Sequence, residues 1–285
     1  MSAPYWQLTV PVTAHISEGV TNLVWELGAL GVVEDGVLRA FFPPDAMPRA
    51  LRARVRAYLD GLCALGYAVE SIAPTVAPLA DEAWAEAWKA HFRPIEVGRR
   101  LLVAPPWDVP ATSRLTLVIE PGRAFGTGHH GSTAGCLTLI EKLCEQERIA
   151  RALDLGTGSG HLAIAAARLG VPEVLAVDKD PDAVAAAIAN AARNGVPDRV
   201  RCAVADAAEL PASRFPLVLA NLLATAHLAL RVRYRRLLCP GGTLVLGGIL
   251  EEEVGAVTDA LAAIGFLERD RELLDGWASL ALRRP

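Results

Sequence analysis

A chain of 285 residues with 52% hydrophobic and 21% charged residues carries enough apolar material for one large or two ordinary buried cores, which excludes a disordered chain. A formal net charge of −4 excludes nucleic-acid binding driven by charge alone, and no direct nucleic-acid contact is expected. Five scattered cysteines (Cys63, Cys136, Cys144, Cys202, Cys239) without a C-x-x-C pair, no leader-like N-terminus and no uncharged apolar run of spanning length point to buried free thiols in a cytoplasmic protein with no membrane partner.

Tyr5 to Thr13 reads as a strand, and Ser17 is the expected cap of a helix to about Leu30, with Val20, Leu23, Val24 and Leu27 on one face. Val32-Val33 and Val37 to Phe42 read as a hairpin around Asp35-Gly36. Leu51, Val55, Leu59 and Leu62 give the core face of a second helix from about Pro48 to Leu65. Arg49, Arg52 and Arg56 share its polar face and read as a solvated stripe. Ala68 to Ile72 is the expected last strand of a βαββαβ, ferredoxin-like small domain over residues 1–75. A linker over residues 76–94 follows. It begins in Pro74 to Pro78 and contains a short helix with Trp84, Trp88 and Phe92 on one face, read as packing. Residues 95–285 are expected to form the second domain.

Leu101 to Ala104 and Leu115 to Ile119 read as strands at its entrance. Glu120 to Thr133 is a long Gly-rich loop running into a helix from about Ser132 to Leu143. Phe125 to His130 is expected to act as a lid. Adjacent His129 and His130 lack a partner acid or thiol at ligand spacing, so no metal is expected. Thr133 falls in the first helical turn, where it can cap its own helix or meet a ligand carboxylate.

Leu153-Asp154-Leu155-Gly156-Thr157-Gly158-Ser159-Gly160 runs from an apolar strand into three glycines and an Ala-rich helix. Glycines at such a turn let backbone N–H groups approach a ligand closely. The spacing is not the G-x-G-x-x-G of dinucleotide folds, and no P-loop Lys-Ser/Thr follows. Val174 to Val177 ends in Asp178, about twenty positions beyond Gly156, where an acid can accept from both hydroxyls of a ribose. Asp180 and Pro181 start a helix that ends at Asn194-Gly195. Val200 to Val204 leads to Asp206, either an adenine contact or a solvated acid. Leu217 to Ala220 leads to Asn221-Leu222-Leu223, and Thr243 to Leu246 is a fifth parallel strand. Gly247 to Leu250 is expected to open the next helix. Phe266 to Arg269 and Trp277 to Leu282 complete a seven-stranded sheet as an antiparallel pair. Ligands bind beyond the carboxyl ends of such strands, which puts Asn221 beside the glycine turn.

These residues resemble the S-adenosylmethionine-dependent methyltransferases of the seven-stranded class, and within it the ribosomal protein L11 methyltransferase family. The resemblance rests on Glu120-Pro121-Gly122, on Ala124 to His130, on Leu153 to Gly160, and on Asp178-Lys179-Asp180-Pro181. It also rests on Asn190, Asn194-Gly195-Val196, Ala220 to Leu223 and Gly248-Ile249-Leu250. It implies an α/β fold, a Rossmann-like seven-stranded sheet with a smaller N-terminal α+β ferredoxin-like domain for substrate recognition. It implies a monomeric enzyme that takes S-adenosylmethionine as cofactor. The methyl groups go to lysine side chains or the N-terminal amine of ribosomal protein L11, free or on the large subunit. Thr133, Gly156, Gly158, Asp178 and Asn221 are the implied cofactor contacts, with Asn221 also placed to orient the acceptor amine. Ser132, where a second Thr is usual, and Lys179, where an apolar residue is common, depart from the family pattern. The competing readings are methylation of a small molecule or RNA, a nicotinamide-dependent dehydrogenase and a non-catalytic nucleoside-binding regulator.

Overall fold

The computed structural model describes residues 5–34, 36–64, 66–69, 71–79, 92–120 and 131–285, without the side chains of residues 14, 15 and 18. The expected Trp84/Trp88 helix and the Phe125–His130 lid lie outside the described residues. The chain divides into two compact units, Met1–Arg93 and Pro94–Pro285.

The first unit has β1 (Tyr5–Pro11), α1 (Ala14–Glu26), β2 (Gly31–Glu34), β3 (Val37–Phe42), α2 (Pro48–Ala64) and β4 (Thr75–Leu79). The sheet order β2-β3-β1-β4, antiparallel throughout, is the expected ferredoxin-like arrangement. One core gathers Leu8, Val10, Val20, Val24, Leu38, Val55 and Leu59. Arg49, Arg52 and Arg56 are exposed on α2, and Arg56 pairs with Asp60 one turn on (3.1 Å).

Three local readings change. Thr13, not Ser17, sits at the N-cap of α1, and Ser17 is buried inside it. Of the stretch expected as Ala68 to Ile72, the described residues are not strand, and Val69 and Ile72 reach the core from non-strand backbone. The last strand is β4, inside the stretch expected as linker, and it pairs with β1 from Thr9↔Thr75 to Tyr5↔Leu79. Pro78 is tolerated there because β4 is an edge strand, where one face of the backbone has no partner to bond.

The second unit begins with β5 (Ile95–Val97), β6 (Leu101–Ala104) and β7 (Leu115–Val118), a small sheet. Its β5–β6 turn is held by Glu141 of α3 (Gly131–Gln146). The buried carboxylate accepts the N–H groups of Arg99 (2.9 Å) and Arg100 (3.0 Å).

Then come β8 (Arg151–Leu155), α4 (His161–Arg168), β9 (Glu173–Asp178), α5 (Pro181–Arg193), β10 (Val200–Val204) and β11 (Phe215–Asn221). The chain continues through α6 (Ala224–Leu237), β12 (Leu238–Leu250), a short 3₁₀ turn, α7 (Val254–Ala262), β13 (Leu267–Leu274) and β14 (Trp277–Arg283). The sheet order is β10-β9-β8-β11-β12-β14-β13, with β13 antiparallel to β14 and β14 antiparallel to β12. Strand periodicity splits the apolar residues between two faces. Leu217, Leu219 and Val245 pack with α3 and α4, while Val218, Ala220, Leu244 and Leu246 pack with α6 and α7. The order reverses between β8 and β11, the crevice where α/β sheets bind ligands.

Gly247 to Leu250 does not open a helix. It continues β12 across an irregularity, with Ile249 opposite Ala278 and Leu250 opposite Trp277. Of the five cysteines only Cys136 is fully buried; the other four are partly exposed, and none is in a disulfide. Burial pushes the Cys136 thiol up to about 12, so it stays protonated, donating to Ser279 Oγ (3.6 Å), and is no nucleophile at neutral pH.

Candidate functional site

Gly156, Gly158 and Gly160 all have left-handed backbone, at φ of 67°, 53° and 90°. Side-chain-bearing residues rarely adopt that conformation, so the three glycines are what permit β8 to turn this tightly into α4. Within the turn Asp154, 1% exposed, accepts from the Thr157 hydroxyl (2.6 Å) and the Ala163 N–H (3.1 Å). It thus ties the end of β8 to the first turn of α4. Asp178, at the end of β9, accepts from the Gly158 N–H (2.9 Å) and the Asp180 N–H (3.0 Å). Asp180 caps α5 by accepting from the Asp182 N–H (2.9 Å), and Gly195 ends the segment at φ 69°.

Two strands away, the Asn221 side-chain amide donates to Thr133 Oγ1 (3.1 Å). Thr133 is 2% exposed in the first turn of α3. Leu222 connects this pair to the glycine turn, since a Cβ on Gly156 would lie 2.5 Å from Leu222 Cδ2. On the other side, a Cβ on Gly247 would lie 2.8 Å from Asn221 Oδ1. The acceptor atom of Asn221 therefore faces a strip of backbone kept bare by glycine.

The sequence-predicted residues Gly156, Gly158, Asp178, Thr133 and Asn221 thus gather at the carboxyl ends of β8, β9 and β11 and the start of α3. Asp206 does not join them through any described bond; it is exposed, and its carboxylate closes its own turn on the Ala208 N–H (2.7 Å).

The set fits a nucleoside ligand on its donor and acceptor chemistry. A carboxylate has about four lone-pair sites. Two backbone N–H groups occupy one site on each Asp178 oxygen, so each oxygen keeps one for a hydroxyl of a vicinal diol. Thr133 uses its oxygen toward Asn221 and keeps its hydroxyl hydrogen to donate.

Sequence reading missed three supports. Asp154 was detectable as an acid between two leucines of an apolar strand. Asn190, in the last turn of α5, and Asn194, at its C-cap, serve the free edge of β7. Asn194 donates to the Val118 carbonyl (2.7 Å) and accepts the Val118 N–H (2.8 Å). Asn190 accepts the Glu120 N–H (3.0 Å) and donates to the Ser159 carbonyl (2.9 Å), so the backbone at Glu120 is bridged to the glycine turn. His227 and Tyr234 had no linear signal; both are buried on α6 behind Gly247.

Two buried titratable groups in this unit oppose each other in pH. Desolvation raises the Asp154 carboxyl from 3.8 to about 7, and the negative charge of Asp178 adds to this. The folded state then holds a proton that the unfolded state releases, so this group's stability contribution is full below about pH 4 and is lost as pH rises through 7. Desolvation lowers His227 from 6.5 to about 4, so its contribution is full above 6.5 and is lost as pH falls toward 4. Asp154→Asn removes only the first slope. The unfolding free energy of the variant, relative to wild type, is expected to rise by about 1.4 kcal/mol per pH unit between pH 5 and 7. Urea unfolding at pH 5, 6, 7 and 8 measures this, and a pH-independent difference would show that the Asp154 carboxyl titrates at its ordinary value.

Comparison with known proteins gives one consistent picture. The family model described as ribosomal protein L11 methyltransferase (PrmA) matches residues 4–285. A relative from Trichlorobacter lovleyi named ribosomal protein L11 methyltransferase is 36% identical over 310 residues, covering 100% of this chain and 99% of its own. One of the same name from Syntrophotalea carbinolica is 38% identical over 299 residues, covering 97% of each. Among solved structures, a ribosomal protein L11 methylase from Lactobacillus delbrueckii subsp. bulgaricus matches with a TM-score of 0.62 and 30% identity, covering 68% of this chain and all of that one.

Proposed function

The chain belongs to the ribosomal protein L11 methyltransferase family, and from that premise we propose that it moves methyl groups from S-adenosylmethionine to amino groups of ribosomal protein L11. The observation that carries the reading is the convergence of the three left-handed glycines, Asp178 and the Asn221–Thr133 pair at the switch point of one sheet. S-adenosylmethionine supplies a methyl group already activated on a sulfonium, so the protein's work is alignment and solvent exclusion. Asp178 would hold the ribose through its two unused lone-pair sites, and the Gly156–Gly158 backbone, bare of side chains, would admit the nucleoside beside it. The Thr133 hydroxyl would donate to the cofactor carboxylate. Asn221 Oδ1 accepts from the incoming amine and turns its lone pair toward the methyl group.

That amine must be neutral to react. For a lysine of ordinary pKa, losing the proton at pH 7 costs about 4–5 kcal/mol. A partly desolvated acceptor site lowers the cost, because burial disfavours the ammonium. No general base is assigned.

The first unit, whose described residues carry neither the glycine turn nor an acid beside it, is the part we assign to recognising L11. A chain truncated to begin at Asp81 is expected to bind S-adenosylmethionine with unchanged affinity and to lose methylation of L11. Full-rate methylation of L11 by the folded truncated protein would remove the recognition role. The whole proposal is tested by incubating the full chain and labelled S-adenosylmethionine with purified L11, with large ribosomal subunits and with protein-free ribosomal RNA. Label is expected in L11 alone; label in the RNA, or none in L11 under conditions where the cofactor binds, would overturn it.

A further inference from the structure

His227 is fully buried on α6, with both ring nitrogens engaged. Nε2 lies 2.8 Å from the Gly247 carbonyl and Nδ1 lies 2.8 Å from the Tyr234 hydroxyl. A carbonyl can only accept, so Nε2 carries the hydrogen, and Nδ1 accepts from the Tyr234 O–H. Tyr234 is itself fully buried, so this pairing selects one tautomer of a neutral ring.

The carbonyl it holds is a junction. Gly247 O also accepts the Leu222 N–H (3.1 Å), and Gly247 stands opposite Asn221 in the parallel register of β11 and β12. Gly247 and Gly248 sit at the irregularity of β12, with Gly248 at φ 74°. Consecutive glycines carry no side chains to pin their peptide planes, so an external donor has a definite task here. Leu223 is already exposed, so the chain leaves the sheet right after the residue that faces the acceptor.

We propose that His227 is a positioning residue for methyl transfer: with Tyr234 it fixes the Gly247 carbonyl, which fixes the Leu222 N–H and so the placement of Asn221. The inference rests on the acceptor-orienting role given to Asn221. It leaves the ribose contacts untouched, because Asp178 and the glycine turn lie on β8 and β9 and are held by their own bonds; of the cofactor contacts, His227 reaches only Thr133, through Asn221.

The test uses the full chain with His227→Phe, His227→Gln and Tyr234→Phe. Glutamine can return an N–H to the Gly247 carbonyl; phenylalanine cannot. In the cofactor-free protein, the Leu222 amide is expected to exchange about tenfold faster in His227→Phe than in wild type, and His227→Gln to restore it. In turnover, kcat on L11 is expected to fall roughly ten- to a hundredfold in His227→Phe, as misplacement of a reacting group does. KM for L11 stays within about twofold, the dissociation constant for S-adenosylmethionine rises by less than kcat falls because the ribose contacts at Asp178 are kept, and glutamine recovers most of kcat. Wild-type exchange and kcat in a folded His227→Phe would overturn the proposal, as would a glutamine variant as impaired as the phenylalanine one. If His227→Phe fails to fold, Tyr234→Phe decides: faster Leu222 exchange with lowered kcat supports the strut, and unchanged values overturn it. If the wild-type protein does not methylate L11 at all, the function proposed above falls, and the exchange ratios still decide whether His227 holds the turn.

Discussion

Asp178→Ala is expected to weaken binding of S-adenosylmethionine on the order of a hundredfold or more. Each hydrogen bond to a charged acceptor contributes about 1.5–3 kcal/mol, and two ribose hydroxyls are available to the one carboxylate. The substitution also strips the Gly158 and Asp180 N–H groups of their acceptor, which loosens the glycine turn. Asp178→Asn keeps one acceptor oxygen and no charge, so it is expected to fall between wild type and alanine. Titration calorimetry with S-adenosylhomocysteine measures all three. Wild-type affinity in a folded Asp178→Ala protein would show that the ribose is held elsewhere.

Gly248→Ala is expected to destabilise the second unit by about 3 kcal/mol or more, from backbone strain of about 1–3 kcal/mol plus overlap. The backbone there is at φ 74°, and a Cβ would lie 2.3 Å from the Leu222 carbonyl oxygen and 2.8 Å from its carbon. Both are backbone atoms, so nothing swings aside; the alanine must push the Asn221-Leu222 turn away. Gly195→Ala is the matched control, with φ 69° and nothing within 4 Å of the added carbon. It carries the conformational strain alone, about 1 kcal/mol. Urea unfolding compares the two, and methylation rates should fall with Gly248→Ala and stay near wild type with Gly195→Ala. Equal destabilisation by the two substitutions would mean that β12 yields at Gly248, and the rigid turn assumed for Asn221 would have to be given up.

The two substitutions bear on residues of different legibility. Asp178 was readable because a strand of β-branched residues ends in it at a set distance from a glycine turn, and chain order alone places the two on adjacent strands. Gly248 was misread. Gly247-Gly248 looks like a break between strand and helix, whereas the backbone continues in the sheet because β14 supplies partners on its far side. The same cause misplaced the last strand of the first unit. Thr75-Val76-Ala77-Pro78-Leu79 carries two signs of a linker, a short length and a proline, and becomes a strand because β1 has a free edge beside it.

By itself, the sequence determined what local chemistry controls. Apolar periodicity set the helices and most strands, glycine set the left-handed turn before α4, and the Asp-Pro pair set the start of α5. The alternation of βαβ units then determined a parallel sheet and put Asp178 and Asn221 at the same end of it. Only the tertiary structure decided which polar groups meet across that frame. Asn221 reaches Thr133 across 88 positions of chain, Asn194 reaches Val118 across 76, and His227 finds Gly247 on a strand beyond its own helix. Such pairings depend on side-chain direction at the end of a packed element, and on which buried donor is left needing an acceptor. Both are settled by how helices seat on the sheet, a sum over the whole core that no short stretch of sequence contains.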